Sequence, residues 1–182
     1  MISVCVAHYD EPIKWVDNIK YNVKVISNKE PNKDNEASSY LQYIIENYDN
    51  LSEYTYFIRG HRTSYYHEEN LDEKINRLIP DKPYYNINEG PILFPDPECH
   101  SILYMVSDLL QIINVEQFVL NVQDKISSQF YVHKSLIRRH SKHVYIKIQE
   151  NSIDIKVDLS FSGWAFEYIW HLIFTGINYE KE

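Results

Sequence analysis

Short apolar runs alternate with amphipathic segments through the first third of the chain, and this alternation constrains the fold more than any other feature. The runs Ile2–Ala7, Val23–Ile26 and Tyr54–Ile58 are rich in β-branched or aromatic residues and have the length of buried strands. Residues 36–51 place apolar side chains every three or four positions, which predicts a helix with Asn35 as its N-cap. This order predicts an α/β fold with a doubly wound, mainly parallel sheet.

The rest of the chain has a less regular pattern. We predict helices over Leu71–Ile79, His100–Ile113, Lys134–His143 and Gly163–Phe174, strands over Tyr84–Ile87, Phe118–Val122 and Gln129–Val132, and a loop over Asn88–Pro97. Residues 144–159 alternate like a hairpin but also fit a continuing helix, and we favour the helix. Pro12 is well placed to begin a short helix that carries Trp15 and Val16.

The length of 182 residues suits a single domain, which we expect to span residues 1–182. The N-terminus has no basic region of the kind that begins a signal peptide, and no stretch approaches the roughly 18 apolar residues of a membrane span. We therefore expect a soluble, cytoplasmic protein. Cys5 and Cys99 are too few for a disulfide framework, and Cys5 is expected to be an ordinary core thiol.

A net charge of -8 argues against a nucleic-acid partner, because binding the phosphate backbone needs a broad basic surface. A local basic cluster is then a candidate anion site. Arg59-Gly60-His61-Arg62 follows the third predicted strand, and His8–Glu11 follows the first. Since ligands of such sheets bind at the carboxyl ends of the strands, we expect these two segments to face one cleft.

Two other groups of residues are weaker candidates. Lys134, Arg138, Arg139 and His143 have helical spacing and are interpreted mainly as a solvated helix face. The spacing of His61, His67 and His100 matches no strong zinc signature, and the chain has no cysteine cluster, so a zinc site is rejected. P-loop, nucleophile-elbow and kinase motifs do not occur.

Five segments, in the order VCVAHYDEPIKWV, DNEASSYLQYIIENYDNL, YTYFIRGH, SSQFYVHKSLIRRH and FEYIWHLIF, are spread over most of the chain, from residue 4 to residue 174. Together they resemble an uncharacterised glycosyltransferase-like family. Its pattern has a G-R-E-A-x-x-Y-L helix ending in N-Y-D, a strand ending in Gly-His, a Q-F strand and a closing F-E-x-x-W-H helix. The chain departs from this pattern where Asp34-Asn35 replaces the Gly-Arg pair, so an arginine that could contact phosphate is missing.

The resemblance implies the glycosyltransferase-A architecture, which binds a nucleotide-diphosphate sugar at its strand ends and a carbohydrate acceptor beside it. Such enzymes usually hold Mg²⁺ or Mn²⁺ on the diphosphate with an Asp-x-Asp motif, and this chain has no Asp-x-Asp. The basic segment beginning at Arg59 stands at the equivalent position. This basic segment favours metal-independent transfer or no transfer. Binding of Mg²⁺ or Mn²⁺ together with the donor remains an alternative.

The resemblance also suggests roles for the residues after the first and third strands. Tyr9 could stack on the nucleotide, and Glu11 could bind a ribose or base edge. Arg59, His61 and Arg62 would neutralise the leaving diphosphate, and Gly60 would allow close backbone approach. The alternatives are that residues 9–12 are only a turn, and that the arginines pair with nearby acids.

Glu167 and His61 are the candidate catalytic residues. Glu167 shares a helix face with His171, at spacing i, i+4, and burial among aromatic side chains would raise the pKa of its carboxyl into the range of a base. The alternative is a helix-surface Glu–His pair. The resemblance extends substrate contacts to His171, Asn35, Glu36 and Gln129, although Glu36 is also explained by capping of its helix.

Three functions follow from this pattern. The first is a glycosyltransferase that moves a sugar from a nucleotide-diphosphate donor to a glycan or other hydroxyl acceptor. The second is a noncatalytic carbohydrate-binding or interaction module on a degenerate transferase fold. The third is a hydrolase using Glu167 and a second carboxylate that the sequence does not identify.

Overall fold

A computed structural model describes residues 1–27, 36–63, 69–88, 100–113, 128–154 and 159–176. The strands are β1 (Ile2–His8), β2 (Asn22–Ser27), β3 (Tyr54–Arg59), β4 (Tyr84–Asn86) and β5 (Phe130–His133). The α-helices are α1 (Glu36–Asn47), α2 (Leu71–Arg77), α3 (His100–Ile112), α4 (Lys134–Ile137), α5 (Lys142–Asp154) and α6 (Leu159–Thr175). Two short 3₁₀ helices, Lys14–Asn18 and Tyr48–Asn50, follow β1 and α1.

The five strands form one sheet in the order β2-β1-β3-β5-β4. β1 pairs in parallel with β2 and β3, whereas β5 is antiparallel to both β3 and β4. Four strands therefore share one direction and β5 opposes them. The α/β class and the mainly parallel sheet are confirmed. The reversal of β5 could not be predicted, because side-chain alternation fixes which face a residue occupies but carries no strand direction.

Helices cover both faces of the sheet. In β1, Cys5 and Ala7 point into a core formed with α1, α3, α5 and α6. Val4 and Val6, which alternate with them, pack on the opposite face against the first 3₁₀ helix and α2. Cys5 is fully buried, and burial raises the pKa of its thiol, as expected of a core cysteine.

The larger core is centred on Phe130, which has no exposed surface. Its ring lies within 6.0 Å, centroid to centroid, of five other aromatic rings: Tyr40, Phe57, Tyr84, Trp170 and Phe174. These rings come from α1, β3, β4 and α6, so Phe130 joins the sheet to the helices above it.

Some predicted boundaries need correction. The helix expected over Lys134–His143 is two helices, because α4 ends at Ile137 and α5 begins at Lys142. The His133 imidazole accepts a hydrogen bond from the Ser135 amide at 3.2 Å and caps the start of α4. α6 begins at Leu159, before the predicted Gly163.

The structure tests some of the remaining predictions, and others fall on residues that it does not describe. Residues 144–154 are helical within α5, so the hairpin alternative is wrong for them. Trp15 and Val16 do lie on a short helix, which starts at Lys14 rather than Pro12. The strand predicted at Phe118–Val122, and the loop after Asn88, lie outside the described residues. Within the described ranges, no helix combines the length and the apolar character needed to cross a membrane.

Candidate functional site

The segments that follow β1 and β3 lie against each other at one edge of the sheet. Ala7 pairs with Arg59 across the parallel strands, so both strands end at the same level. The Trp15 indole donates a buried hydrogen bond of 2.9 Å to the Gly60 carbonyl. The predicted proximity of the two segments is therefore confirmed.

Glu11 organises the turn after β1. Its carboxylate Oε2 accepts hydrogen bonds from the backbone amides of Tyr9 at 2.9 Å and Asp10 at 2.8 Å. Burial acts to raise the pKa of Glu11, but these backbone donors, with a contribution from His61, outweigh it and lower the pKa. The interpretation of residues 9–12 as a turn thus describes the fold of this segment.

Gly60 lies in close contact with the Glu11 side chain, which would have to move if residue 60 carried a side chain. A Cβ atom built on Gly60 would lie 2.3 Å from Glu11 Oε1, far inside van der Waals contact. Gly60 was predicted to allow the close approach of a diphosphate; in this structure the group that lies against it is the chain's own Glu11 carboxylate. The His8 imidazole also ties the turn down, with Nε2 3.1 Å from the Glu11 carbonyl oxygen.

Tyr9 and His61 are the solvent-facing members of this edge. The Tyr9 residue is 56% exposed, the largest exposure of any described tyrosine at the site. His61 is also exposed and lies close enough to Glu11 to affect its pKa. Both side chains are therefore accessible to a ligand.

Arg59 lies beside these loops, at the centre of what we call the Arg59 cluster: Glu36, Arg59, Ser128 and Glu167. Its Nη2 donates to Glu36 Oε1 at 2.9 Å and also contacts Glu167 Oε1. The Ser128 hydroxyl donates to the same Glu167 oxygen at 3.3 Å. The first residue of α1, the last residue of β3, the approach to β5 and the middle of α6 thus meet at one point.

The pKa values of Glu167 and Arg59 both shift within this cluster. Burial raises the pKa of Glu167, Arg59 opposes this shift and the negative charge of Glu36 adds to it. Burial acts to lower the pKa of Arg59, but Glu36 and Glu167 outweigh it and raise the pKa. A raised Glu167 pKa is the direction predicted for a catalytic base.

Arg62 is engaged elsewhere. Its guanidinium binds the Asp72 carboxylate in bidentate fashion, with Nε to Oδ1 at 2.9 Å and Nη2 to Oδ2 at 3.0 Å. Asn18 donates to the same carboxylate at 3.0 Å, which fixes the first 3₁₀ helix to α2. Both Arg59 and Arg62 therefore pair with nearby acids, which was the alternative interpretation of this basic segment.

The other predicted site residues lie in varied surroundings. The Gln129 side-chain amide donates to Asn88 Oδ1 at 2.9 Å. Gln129 directly precedes β5, whose start lies beside the end of β3, so Gln129 is at the same sheet edge as the Arg59 cluster. His171 is buried, and burial lowers its pKa to about 4, so its imidazole is neutral at physiological pH. Asn35 lies outside the described residues.

The second basic group contributes to the structure of α6. Arg139 Nη1 donates to the carbonyls of Phe174 at 3.3 Å and Thr175 at 2.5 Å, at the C-terminal end of that helix. Gly176 follows with φ 66°, and its amide donates to the Leu172 carbonyl at 2.9 Å. The interpretation of this group as a solvated helix face therefore misses the capping role of Arg139.

A divalent cation does not fit the Arg59 cluster. Mg²⁺ and Mn²⁺ need several oxygen ligands, and the two carboxylates here, Glu36 and Glu167, already pair with the Arg59 guanidinium through Oε1. The cation would have to share the site with the positive charge of Arg59. Across the described ranges, no group of three or more His, Cys, Asp or Glu side chains is suited to hold a metal ion.

Three members of the site were not identified by sequence reasoning. Ser128, Tyr40 and Asp72 each contact or lie close to a predicted residue. Tyr40 follows Glu36 by four positions on α1, and this i, i+4 spacing was a usable signal. The Ser128 and Asp72 contacts join residues distant in sequence and left no local pattern.

Replacing Arg59 by methionine is expected to lower the free energy of unfolding by roughly 2 kcal/mol at pH 7. The change leaves two partly buried carboxylates facing each other without a cation, and the 35% exposure of the Arg59 side chain moderates the loss. Without Arg59 the pKa of Glu167 rises further above its ordinary 4.5 in the folded protein. The destabilisation is then largest above that raised pKa and shrinks as pH falls towards 4.5, where the unfolded chain also binds the proton.

Urea unfolding of Arg59→Met at several pH values measures both effects. Arg77→Met is the matched control, because Arg77 is 72% exposed and its pair with Glu69 lies at the surface. An Arg59→Met loss no greater than the control's, or one that does not change with pH, would contradict the role assigned to the cluster.

Comparison with known proteins gives a family but no activity. A family described as "Protein of unknown function (DUF3431)" matches residues 4–89 and 95–181, which is nearly the whole chain. Neither a curated protein nor a solved structure matches the chain significantly. The family match spans both segments after β1 and β3 and every residue of the Arg59 cluster. The chain therefore belongs to the DUF3431 family.

Proposed function

We propose that the protein is a glycosyltransferase that moves a sugar from a nucleotide-diphosphate donor to a glycan or other hydroxyl acceptor without a metal ion. The observation that carries this proposal is the Glu167 carboxylate, held at the sheet edge by Arg59 and Ser128 with a raised pKa. The resemblance of the FEYIWHLIF segment to the closing helix of glycosyltransferase-like proteins supports it.

Glu167 would act as the general base. Both of its hydrogen bonds use Oε1, and Oε2 makes none with another described residue, so Oε2 can receive a proton. The acceptor hydroxyl gives its proton to Glu167 as its oxygen bonds to the anomeric carbon. The bond from that carbon to the diphosphate breaks, and its electron pair leaves with the nucleoside diphosphate.

The donor would bind on the side of the β1 turn. The exposed Tyr9 ring can stack on a base, and the exposed His61 can donate a hydrogen bond to the departing diphosphate. A glycosyltransferase-A-like architecture is part of this proposal. It is supported by a mainly parallel sheet whose strand ends carry the site.

A noncatalytic carbohydrate-binding module is the second candidate, and one observation favours it. Arg59 and Arg62, the two arginines nearest the expected diphosphate position, are already neutralised by carboxylates. A protein that binds only a neutral glycan has no need of their charge.

Thermal shift measurements with a panel of nucleoside diphosphates and sugar nucleotides, with and without Mn²⁺, test the proposal. A transferase of this kind should gain Tm with at least one sugar nucleotide, and Mn²⁺ should add nothing further. If no member of the panel shifts Tm while free oligosaccharides do, the transferase proposal fails and the binding module is favoured.

A further inference from the structure

The Arg59 cluster has an unusual charge for a phosphate site. It contains one guanidinium, from Arg59, and two carboxylates, from Glu36 and Glu167, so with both acids ionised it carries one net negative charge. The side chains of Glu36 and Glu167 are only 14% and 24% exposed, which limits solvent screening between them and an incoming ligand. A diphosphate entering here would therefore be repelled.

The arrangement of donors and acceptors suits a hydroxyl group instead. Arg59 and Ser128 supply N–H and O–H donors, and the carboxylates of Glu36 and Glu167 supply acceptors beside them. A sugar hydroxyl both donates and accepts a hydrogen bond, so it can bind next to a guanidinium and a carboxylate at once. The diphosphate of a sugar nucleotide is fully ionised at neutral pH, so its oxygens can only accept.

Unpaired donors beneath the cluster strengthen this assignment. Tyr40 is fully buried, and its hydroxyl has no hydrogen-bond partner in the part of the chain that the structure describes. Tyr40 follows Glu36 by one turn of α1, and the charges of Glu36, Arg59 and Glu167 all act on its phenol. Arg59 Nε is likewise buried without a partner among the same residues. Buried polar groups are rarely left unpaired in proteins, so each of these atoms has the capacity for a further hydrogen-bond partner.

We propose that the Arg59 cluster binds hydroxyl groups of a neutral sugar, and that Glu36 determines this specificity by keeping Arg59 from binding phosphate. The inference rests on the proposed function only for identifying the hydroxyls as those of a sugar. It assigns Arg59 to the sugar rather than to the leaving diphosphate, and it makes Glu36 a specificity residue in addition to a helix-terminal acid.

Calorimetric titration with inorganic pyrophosphate tests the charge selectivity in the full chain. Glu36→Gln keeps the side-chain shape and removes one negative charge, so it should bind pyrophosphate about tenfold more tightly than the wild type, or tighter still. The Arg59→Gln single variant should bind pyrophosphate with the same affinity as the wild type. The Glu36→Gln/Arg59→Gln double variant should not show the higher affinity of Glu36→Gln.

Matched controls separate this effect from a general change in charge. Glu46→Gln removes an acid from the same helix, but Glu46 is 44% exposed and binds Lys24 at 2.6 Å, so pyrophosphate binding should not change. Far-UV circular dichroism checks that each variant is folded. If Glu36→Gln does not fold, Glu167→Gln replaces it with the same expectation, because Glu167 contacts the same guanidinium nitrogen.

Saturation-transfer NMR tests the neutral ligand with glucose, galactose, mannose and N-acetylglucosamine. At least one of these sugars should contact the wild-type protein, and the contact should be lost in Arg59→Gln. If none of the four contacts the protein, the sugar assignment is overturned.

The pyrophosphate results overturn the proposal in two ways. One is the absence of any gain in Glu36→Gln, and the other is wild-type pyrophosphate binding that weakens in Arg59→Gln. A gain in Glu36→Gln together with no response to any sugar nucleotide would instead end the transferase proposal and leave the charge selectivity standing. If the protein turns over a sugar-nucleotide donor but Glu36→Gln does not bind pyrophosphate more tightly, the transferase proposal stands and the charge selectivity is overturned.

Discussion

Replacing Glu167 by glutamine is expected to lower kcat for sugar transfer by roughly 10²- to 10⁴-fold, the usual contribution of a general base. The glutamine carbonyl can still accept from Arg59 and Ser128, so the position of the side chain is kept while its capacity to take a proton is lost. Because the acceptor and donor contacts survive, KM should change much less than kcat.

The pH dependence gives a readout that a purely structural role would not produce. Burial and the charge of Glu36 raise the pKa of Glu167, so the acid limb of the wild-type kcat profile should lie above the carboxyl's ordinary 4.5. Activity is then lost as pH falls through that raised pKa, and Glu167→Gln should lack this limb. Glu46→Gln, an exposed acid outside the site, should retain wild-type kcat. A loss of less than about threefold in Glu167→Gln would assign the base to another residue.

Replacing Phe130 by alanine is expected to lower the free energy of unfolding by about 3–5 kcal/mol, the range for removing a large buried aromatic side chain. Phe130 has no exposed surface and packs against five aromatic rings, three of which belong to helices α1 and α6. The rings around Phe130 belong to several strands and helices that are held in place by their own packing. They cannot all move inwards to fill the cavity that the substitution creates.

Chemical denaturation in urea measures this loss, and Ile79→Ala is the control. Ile79 is 74% exposed, so its truncation should change the unfolding free energy by less than about 0.5 kcal/mol. If Phe130→Ala costs less than about 1 kcal/mol, the aromatic core does not hold the sheet to α1 and α6 as described.

Local patterns predicted the β1 and β3 ends of the site but not the contacts within the Arg59 cluster. His8–Glu11 and Arg59–Arg62 lie at the ends of β1 and β3, which are parallel neighbours in the sheet, and the rule that such ends meet at one edge placed them together correctly. The direction in which each side chain would turn was not predictable. Arg62 turns to Asp72 on α2 and Arg59 turns to α1 and α6, although the two are three residues apart.

The Arg59 cluster depends on strand pairings that no local window contains. Ser128 reaches Glu167 because β5 runs antiparallel to β3, with Phe130 opposite Phe57, and this brings the start of β5 to the end of β3. Glu36 looked like a helix cap because its nearest neighbours in sequence gave no reason to expect a partner on a strand. Its ion pair with Arg59 follows from how α1 lies on the sheet.

The position of β5 between β3 and β4 has a consequence for folding during synthesis. β1, β2 and β3 can pair as soon as they have been synthesised, but β3 then has one unoccupied edge and β4 has no neighbour until residues 130–133 are available. A ribosome-bound chain would therefore present an open strand edge through much of its translation, and such edges template aggregation. Fragments that end before β5 should be insoluble rather than partly active, because β3 keeps an unpaired edge and the Arg59 cluster lacks Glu167.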